Sequence, residues 1–155
     1  MIDNSVFLEL LHNYYAVWQE CNYVYGEWAK AHGLSINSLF VLSAIHEGGE
    51  GCTQKKISQR WMIPKQTVNM ILKDFQKKGL VELLPLQKDK RNKQICFTQA
   101  GADYANTIIT KLRKAELYAV EKVGAKGMGQ LNDNTALFVE FFIQAGKEDK
   151  NEPKI

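Results

Sequence analysis
The chain of 155 residues is short of cysteine and of long apolar runs, and each shortage removes a class of protein. Three cysteines, Cys21, Cys52 and Cys96, are too few and too scattered for a disulfide framework, so they read as reduced thiols. No CxxC or HxxxH spacing occurs, and His12, His32 and His46 are dispersed, which leaves a metal ion no local pair of ligands. Gly-rich phosphate loops and nucleophile motifs are missing too, so neither an enzyme nor a cofactor is expected. No stretch approaches the roughly 18 apolar residues of a membrane span. The opening Met1-Ile2-Asp3-Asn4 lacks the basic-then-apolar order of a secretory leader. The expectation is a cytoplasmic protein without a membrane partner.

What is present is an uneven distribution of charge. Of twenty Lys and Arg residues, eleven fall between Thr53 and Lys93, against only Asp74, Glu82 and Asp89. The segment carries about +8 and the remainder about −5, although the whole chain is only +3. A basic block between acidic flanks is the footprint of a phosphate-binding surface; a solvated lysine-rich face carries the same charge. With 45% hydrophobic residues, the chain has enough apolar material for one packed domain over 1–155.

Periodicity supplies the elements. Phe7, Leu11, Tyr14, Trp18, Cys21, Tyr25 and Trp28 recur at alternating steps of four and three, predicting a long helix from about Asn4 to Ala31. Cys21 lies on that stripe and reads as a packing residue. Gly33 ends the helix, and Ser35 caps a second from Ile36 to about Glu47. Thr53 caps a short helix to about Arg60, and Pro64 suits the first position of the next. In that next helix Val68, Ile71, Leu72 and Phe75 fall at i, i+3, i+4 and i+7 and face inward. Lys65, Gln66, Asn69, Met70, Lys73 and Lys77 are left outside, with Thr67 on the same turn. Gly79 stops the helix; Leu80 to Leu86 and Lys93 to Thr98 read as two strands joined by the charged tip Lys88-Asp89-Lys90-Arg91-Asn92-Lys93. Cys96 is the better redox candidate of the three thiols, since Ile95 and Phe97 take the opposite strand face and Lys93 lies nearby. Thr98 caps a further helix to about Val123, Gly124, Gly127 and Gly129 interrupt it, and a last helix covers about Asn132 to Lys147 before a polar tail, 148–155. The fold class is mainly α with a small β-hairpin.

Asp89, Arg91, Thr98 and Gly101 form the pattern D-x-R, six residues, T-x-x-G, preceded by Lys78-Gly79-Leu80-Val81-Glu82. With this pattern, the span from Gly33 to Gly101 resembles the MarR family of winged helix-turn-helix regulators. Leu83 stands where many relatives carry Arg, which removes one phosphate contact near the hairpin base. The resemblance implies a DNA-binding region at 33–98, with the hairpin as wing, and dimerisation helices at 1–32 and 99–147. It also implies that Arg91 enters a minor groove, and that a small aromatic or phenolic effector binds between the dimer helices and the winged helix.

The residues support these roles on physical grounds. A helix fits the major groove of double-stranded DNA; Gln66 and Asn69 suit adenine, while Lys65 and Lys73 suit guanine or phosphate. Thr67 and Met70 complete that face, and Lys88, Lys90, Arg91 and Lys93 the wing, with Asp89 orienting Arg91. One winged helix reads only a short half-site, so a homodimer on a near-palindrome is expected. The surplus of helical aromatics, Tyr14, Trp18, Tyr25, Trp28, Phe138, Phe141 and Phe142, favours a shared core. His12, Tyr15, Trp18 and Phe40 are the candidate lining of an effector pocket. The reading is a sequence-specific repressor relieved by its effector. A cysteine-based redox regulator and a winged-helix protein-interaction module are the alternatives.

Overall fold
Asp3 opens the first helix, α1 (Asn4–Ala31), by accepting the Ser5 amide at 2.9 Å. Hydrogen bonds from the Ser5 hydroxyl and then from the Ser5 amide hold the Asp3 carboxyl below its usual pKa range. The computed structural model describes residues 2–49, 51–86 and 89–149, the backbone alone being described at 86, 89–92, 148 and 149. By its internal contacts the chain divides into two compact units, Met1–Ile109 and Thr110–Ile155.

The first unit follows the sequence reading closely. At the end of α1 the Leu34 amide reaches back to the Ala29 carbonyl at 3.0 Å. The second helix, α2 (Ile36–Gly48), is capped by the Ser35 hydroxyl and buries Leu39, Val41, Leu42, Ser43, Ala44 and Ile45. Burial of so many consecutive positions makes it the central element, apolar nearly all round. The short α3 (Gln54–Trp61) starts under the Thr53 hydroxyl and ends at Met62, which adopts the left-handed conformation at φ 51°. The next helix, α4 (Lys65–Lys77), begins one residue later than Pro64, which is its N-cap instead of its first residue. Val68, Ile71, Leu72 and Phe75 all point into the core, and Phe75 is only 1% exposed.

The hairpin consists of β1 (Val81–Leu86) and β2 (Asp89–Phe97), antiparallel, with Val81 opposite Phe97 and Pro85 opposite Lys93. Three strand boundaries differ from expectation, the last in chain order being that β2 ends at Phe97 because Thr98 leaves the strand to cap α5. Leu80 is not in β1 because its amide closes the end of α4 on Phe75 O at 2.9 Å. The expected loop residues Asp89 to Asn92 belong to β2, since pairing resumes with Leu86 opposite Asp89 after a register shift at Pro85. A bridge between Thr53 and Gln94 ties the sheet to the segment before α3, alongside an Ile95 amide bond to Cys52 O at 2.9 Å.

The last helix, α5 (Gln99–Asp149), runs through both units and is broken only at Gly124, with φ 78° and ψ 155°. Gly127 and Gly129, expected to interrupt as well, are helical, and helix resumes directly after Gly124 instead of near Asn132. An isolated glycine costs only about 1 kcal/mol against alanine in a helix, which neighbouring helix formers override. Among the described residues no helix is long and apolar enough to cross a membrane.

The start of α5 is held by close approach. Thr98 donates its hydroxyl to Gly79 O at 2.6 Å and its amide to Leu80 O at 3.0 Å, while the Gly101 amide donates to Thr98 Oγ1 at 2.9 Å. A Cβ on residue 101 would stand 1.7 Å from Leu80 O. We therefore expect Gly101→Ala to destabilise the protein by roughly 3 kcal/mol, the upper range for overpacking. Chemical denaturation followed by circular dichroism measures this; an unchanged midpoint would mean that the junction yields freely.

Candidate nucleic-acid interface
The inward set of α4 fixes what faces out. With Val68, Ile71, Leu72 and Phe75 buried, Lys65, Gln66, Asn69, Met70 and Lys73 are exposed and Thr67 is half-buried. The side chains of Lys65, Gln66, Asn69 and Lys73 make no hydrogen bond or ion pair with the described residues. They are uncommitted. The N-terminus of α4 lacks a side-chain cap, so the first-turn amides and the positive end of the helix dipole add to the same basic end.

Among the described residues, two cations of the basic segment are held in ion pairs and a third in a hydrogen bond. Arg60 Nη2 pairs with Glu47 at 2.8 Å and Lys78 Nζ with Asp74 at 2.7 Å. Both pairs are partly solvent-exposed and weak, so neither locks its cation away from a phosphate. Lys56 donates to Gly51 O at 2.9 Å. On the wing, Lys93 is exposed. Asp89, Lys90 and Arg91 lie in β2 by their backbone, and Lys88 falls outside the described residues.

The join between α3 and α4 carries two contacts that the sequence reading missed. Gln54 Nε2 donates to the Lys65 carbonyl at 2.8 Å, and Ser58 Oγ donates to the Ile63 carbonyl at 2.7 Å. Polar side chains reaching backbone atoms 11 and 5 residues away leave no periodic trace in a sequence.

The four candidate effector residues are not gathered within one chain. His12, Tyr15 and Trp18 are exposed along α1, while Phe40 stacks on Trp61 at 4.9 Å and lies 6.2 Å from Tyr25. Tyr25 is roughly 20 Å along the helix from His12. Phe40 therefore belongs to an aromatic cluster joining α1, α2 and α3. None of the four lines either of two surface cavities: one of about 560 Å³ between the end of α2 and α3, the other of about 230 Å³ flanked by His46, Cys96 and Asn106.

Cys21, expected to pack, is exposed; Cys52 is buried and Cys96 half-buried. Burial pushes the Cys52 thiol up in pKa, the direction opposite to activation. No group of three or more metal-ligating side chains occurs among the described residues.

Comparison with known proteins agrees with this architecture. Residues 32–92 match the model of the MarR family. The HTH-type transcriptional regulator SarZ of Staphylococcus epidermidis is 31% identical over 108 residues, covering 69% of this chain and 72% of that protein. Among solved structures, the MarR family regulator NMB1585 of Neisseria meningitidis superposes with a TM-score of 0.77 at 25% identity, covering 91% of this chain and 98% of that one. The fold is shared also with MepR of Staphylococcus aureus, solved in complex with DNA, at a TM-score of 0.70 and 17% identity, over 82% of this chain and 96% of that one. Staphylococcus aureus MarR, solved with salicylate and kanamycin, has a TM-score of 0.68 at 17% identity, over 91% of this chain and 95% of that one. By its helix-turn-helix, its paired-strand wing and these alignments, the chain belongs to the MarR family of winged helix-turn-helix transcription regulators.

Proposed function
We propose that the protein is a homodimeric, sequence-specific repressor that reads a near-palindromic operator with two copies of α4 and releases it on binding a small aromatic or phenolic effector. The observation that carries this reading is the outer face of α4, where Lys65, Gln66, Asn69 and Lys73 are exposed and unengaged by the described residues above a buried inner face. Gln66 and Asn69 read adenine edges, Lys65 and Lys73 meet guanine or phosphate, and Met70 and Thr67 supply apolar contact to thymine methyls. Beside the helix, Lys88, Lys90, Arg91 and Lys93 of the wing grip the backbone and minor groove, with Asp89 orienting Arg91.

Self-association is supported by the aromatic side chains that each unit leaves exposed. Phe7 and Trp18 do so on α1, and Phe141 and Phe142 do so beyond Gly124, where Phe142 is 74% exposed. Apolar surface on this scale favours burial against a second copy. An effector acts only if it prefers one dimer geometry over the other, so its pocket, with His12, Tyr15, Trp18 and Phe40 as candidate lining, belongs to the dimer and not to one chain. The salicylate bound by Staphylococcus aureus MarR indicates the chemical class to try first.

Selection from random duplex DNA should return a palindromic consensus. On that duplex, Gln66→Ala or Asn69→Ala should relax preference at particular base pairs by roughly 1–3 kcal/mol. Arg91→Ala should instead weaken binding across sequences and reduce the slope of log affinity against log salt by about 1. Recovery of no consensus at moderate ionic strength removes the reading. Light scattering at micromolar concentration should give a dimer, and the double substitution Phe141→Asp with Phe142→Asp should give monomers; a monomeric parent contradicts the assembly. Salicylate at millimolar concentration should lower operator affinity of the parent, and no change would dismiss an effector of that class.

A further inference from the structure
Hydrophobic burial alone does not fix the angle at which α4 leaves α3. Ile57, Ile63 and Val68 are buried at the join, but apolar attraction has no direction, so it tolerates small rolls of one helix on another. The backbone at the entry to α4 offers little help. Pro64 has no N–H, and α4 has no side-chain cap of its own. Directional bonds come instead from α3. Gln54 and Ser58 lie four residues apart, hence on one helical face, and donate to Lys65 O at 2.8 Å and Ile63 O at 2.7 Å. The two acceptors bracket Pro64. Gln66 follows the tethered Lys65 directly, and Asn69 lies one turn further, so both bonds act at the root of the exposed amide side chains.

We propose that Gln54 and Ser58 are positioning residues for DNA sequence reading, fixing α4 against α3 so that Gln66 and Asn69 meet base edges in register. The inference rests on α4 being the base-reading helix. Bidentate pairing of an amide with a base edge tolerates displacements of only a few tenths of an ångström, because hydrogen bonds weaken steeply when stretched or bent. Phosphate contacts made by flexible lysines tolerate more. Loss of the two tethers therefore lowers discrimination while leaving the nonspecific electrostatic grip intact.

The test uses the full chain, the duplex that the parent selects from random DNA, and a scrambled duplex of equal length. Gln54→Met keeps the side-chain length without a donor, Ser58→Ala removes the hydroxyl, and Ser58→Thr retains it. Gln54→Met and Ser58→Ala should each lose roughly fivefold to tenfold in affinity for the selected duplex, the range of one net hydrogen bond. Affinity for the scrambled duplex and the salt slope should stay near those of the parent, the melting temperature should fall by no more than about 2–6 °C with the fold intact at the assay temperature, and Ser58→Thr should restore discrimination. Equal losses on both duplexes with a shallower salt slope would make these residues phosphate contacts, and equal losses on both duplexes that vanish when the assay is cooled well below the melting temperature would make them merely structural. Either outcome overturns the proposal, as does unchanged discrimination. A parent that selects no duplex fails at the first step, which separates failure of the DNA-reading assignment from failure of this one.

Discussion
The carbonyl oxygen of Leu80 occupies the space that a side chain on residue 101 would need, and three elements meet at that point. Just upstream, the Leu80 amide closes α4 on Phe75; just downstream, Val81 starts β1; across the gap, Thr98 binds both Gly79 and Leu80 as α5 begins. Gly79 makes the turn possible by adopting φ +68°, a region other residues rarely enter. The helix with the uncommitted polar face, the wing and the longest helix are thereby joined through a few backbone atoms. In this chain the threonine and the glycine three residues later hold one junction between them. The threonine hydroxyl bonds in two directions, and the glycine lets a helix approach a carbonyl.

Electrostatics act on this frame at longer range. The surplus of positive charge is concentrated in 53–93, and the acidic residues that pair within it, Glu47 with Arg60 and Asp74 with Lys78, do so at partly exposed positions. Such pairs add little to stability and exchange readily for another anion. The α4 N-terminus, without a side-chain cap and with a favourable dipole, points the same way in charge as Lys65. Local helix geometry and side-chain charge thus cooperate at one end of α4 without a dedicated binding cleft.

How legible each part was in the sequence depends on the range of the interaction that determines it. The inner face of α4 was readable because Val68, Ile71, Leu72 and Phe75 follow the helical repeat, and helix starts were readable where Ser35, Thr53 and Thr98 cap with their own hydroxyls. The break in α5 was readable only as a choice of three glycines. What singles out Gly124 is its backbone conformation, which composition does not encode. The reach of β2 back to Asp89 depends on pairing across a register shift, and a charged run looks like a loop until its partner strand is in place. Phe40 illustrates the hardest case. The sequence offered it as pocket lining together with His12, and only the tertiary arrangement shows that its neighbours are Trp61 and Tyr25, far from His12.

Gly124 has a consequence for the mechanics of α5. Unbroken, its 51 residues would form a rod of roughly 75 Å, well beyond the ~40 Å width expected of a compact domain of this length. The break yields two shorter rods, and it does so without any connecting loop. The corner is made from the torsions of one residue, and at φ +78° that residue has to be one that enters the left-handed region without strain, so a side chain placed there would pull the chain back toward a single rod.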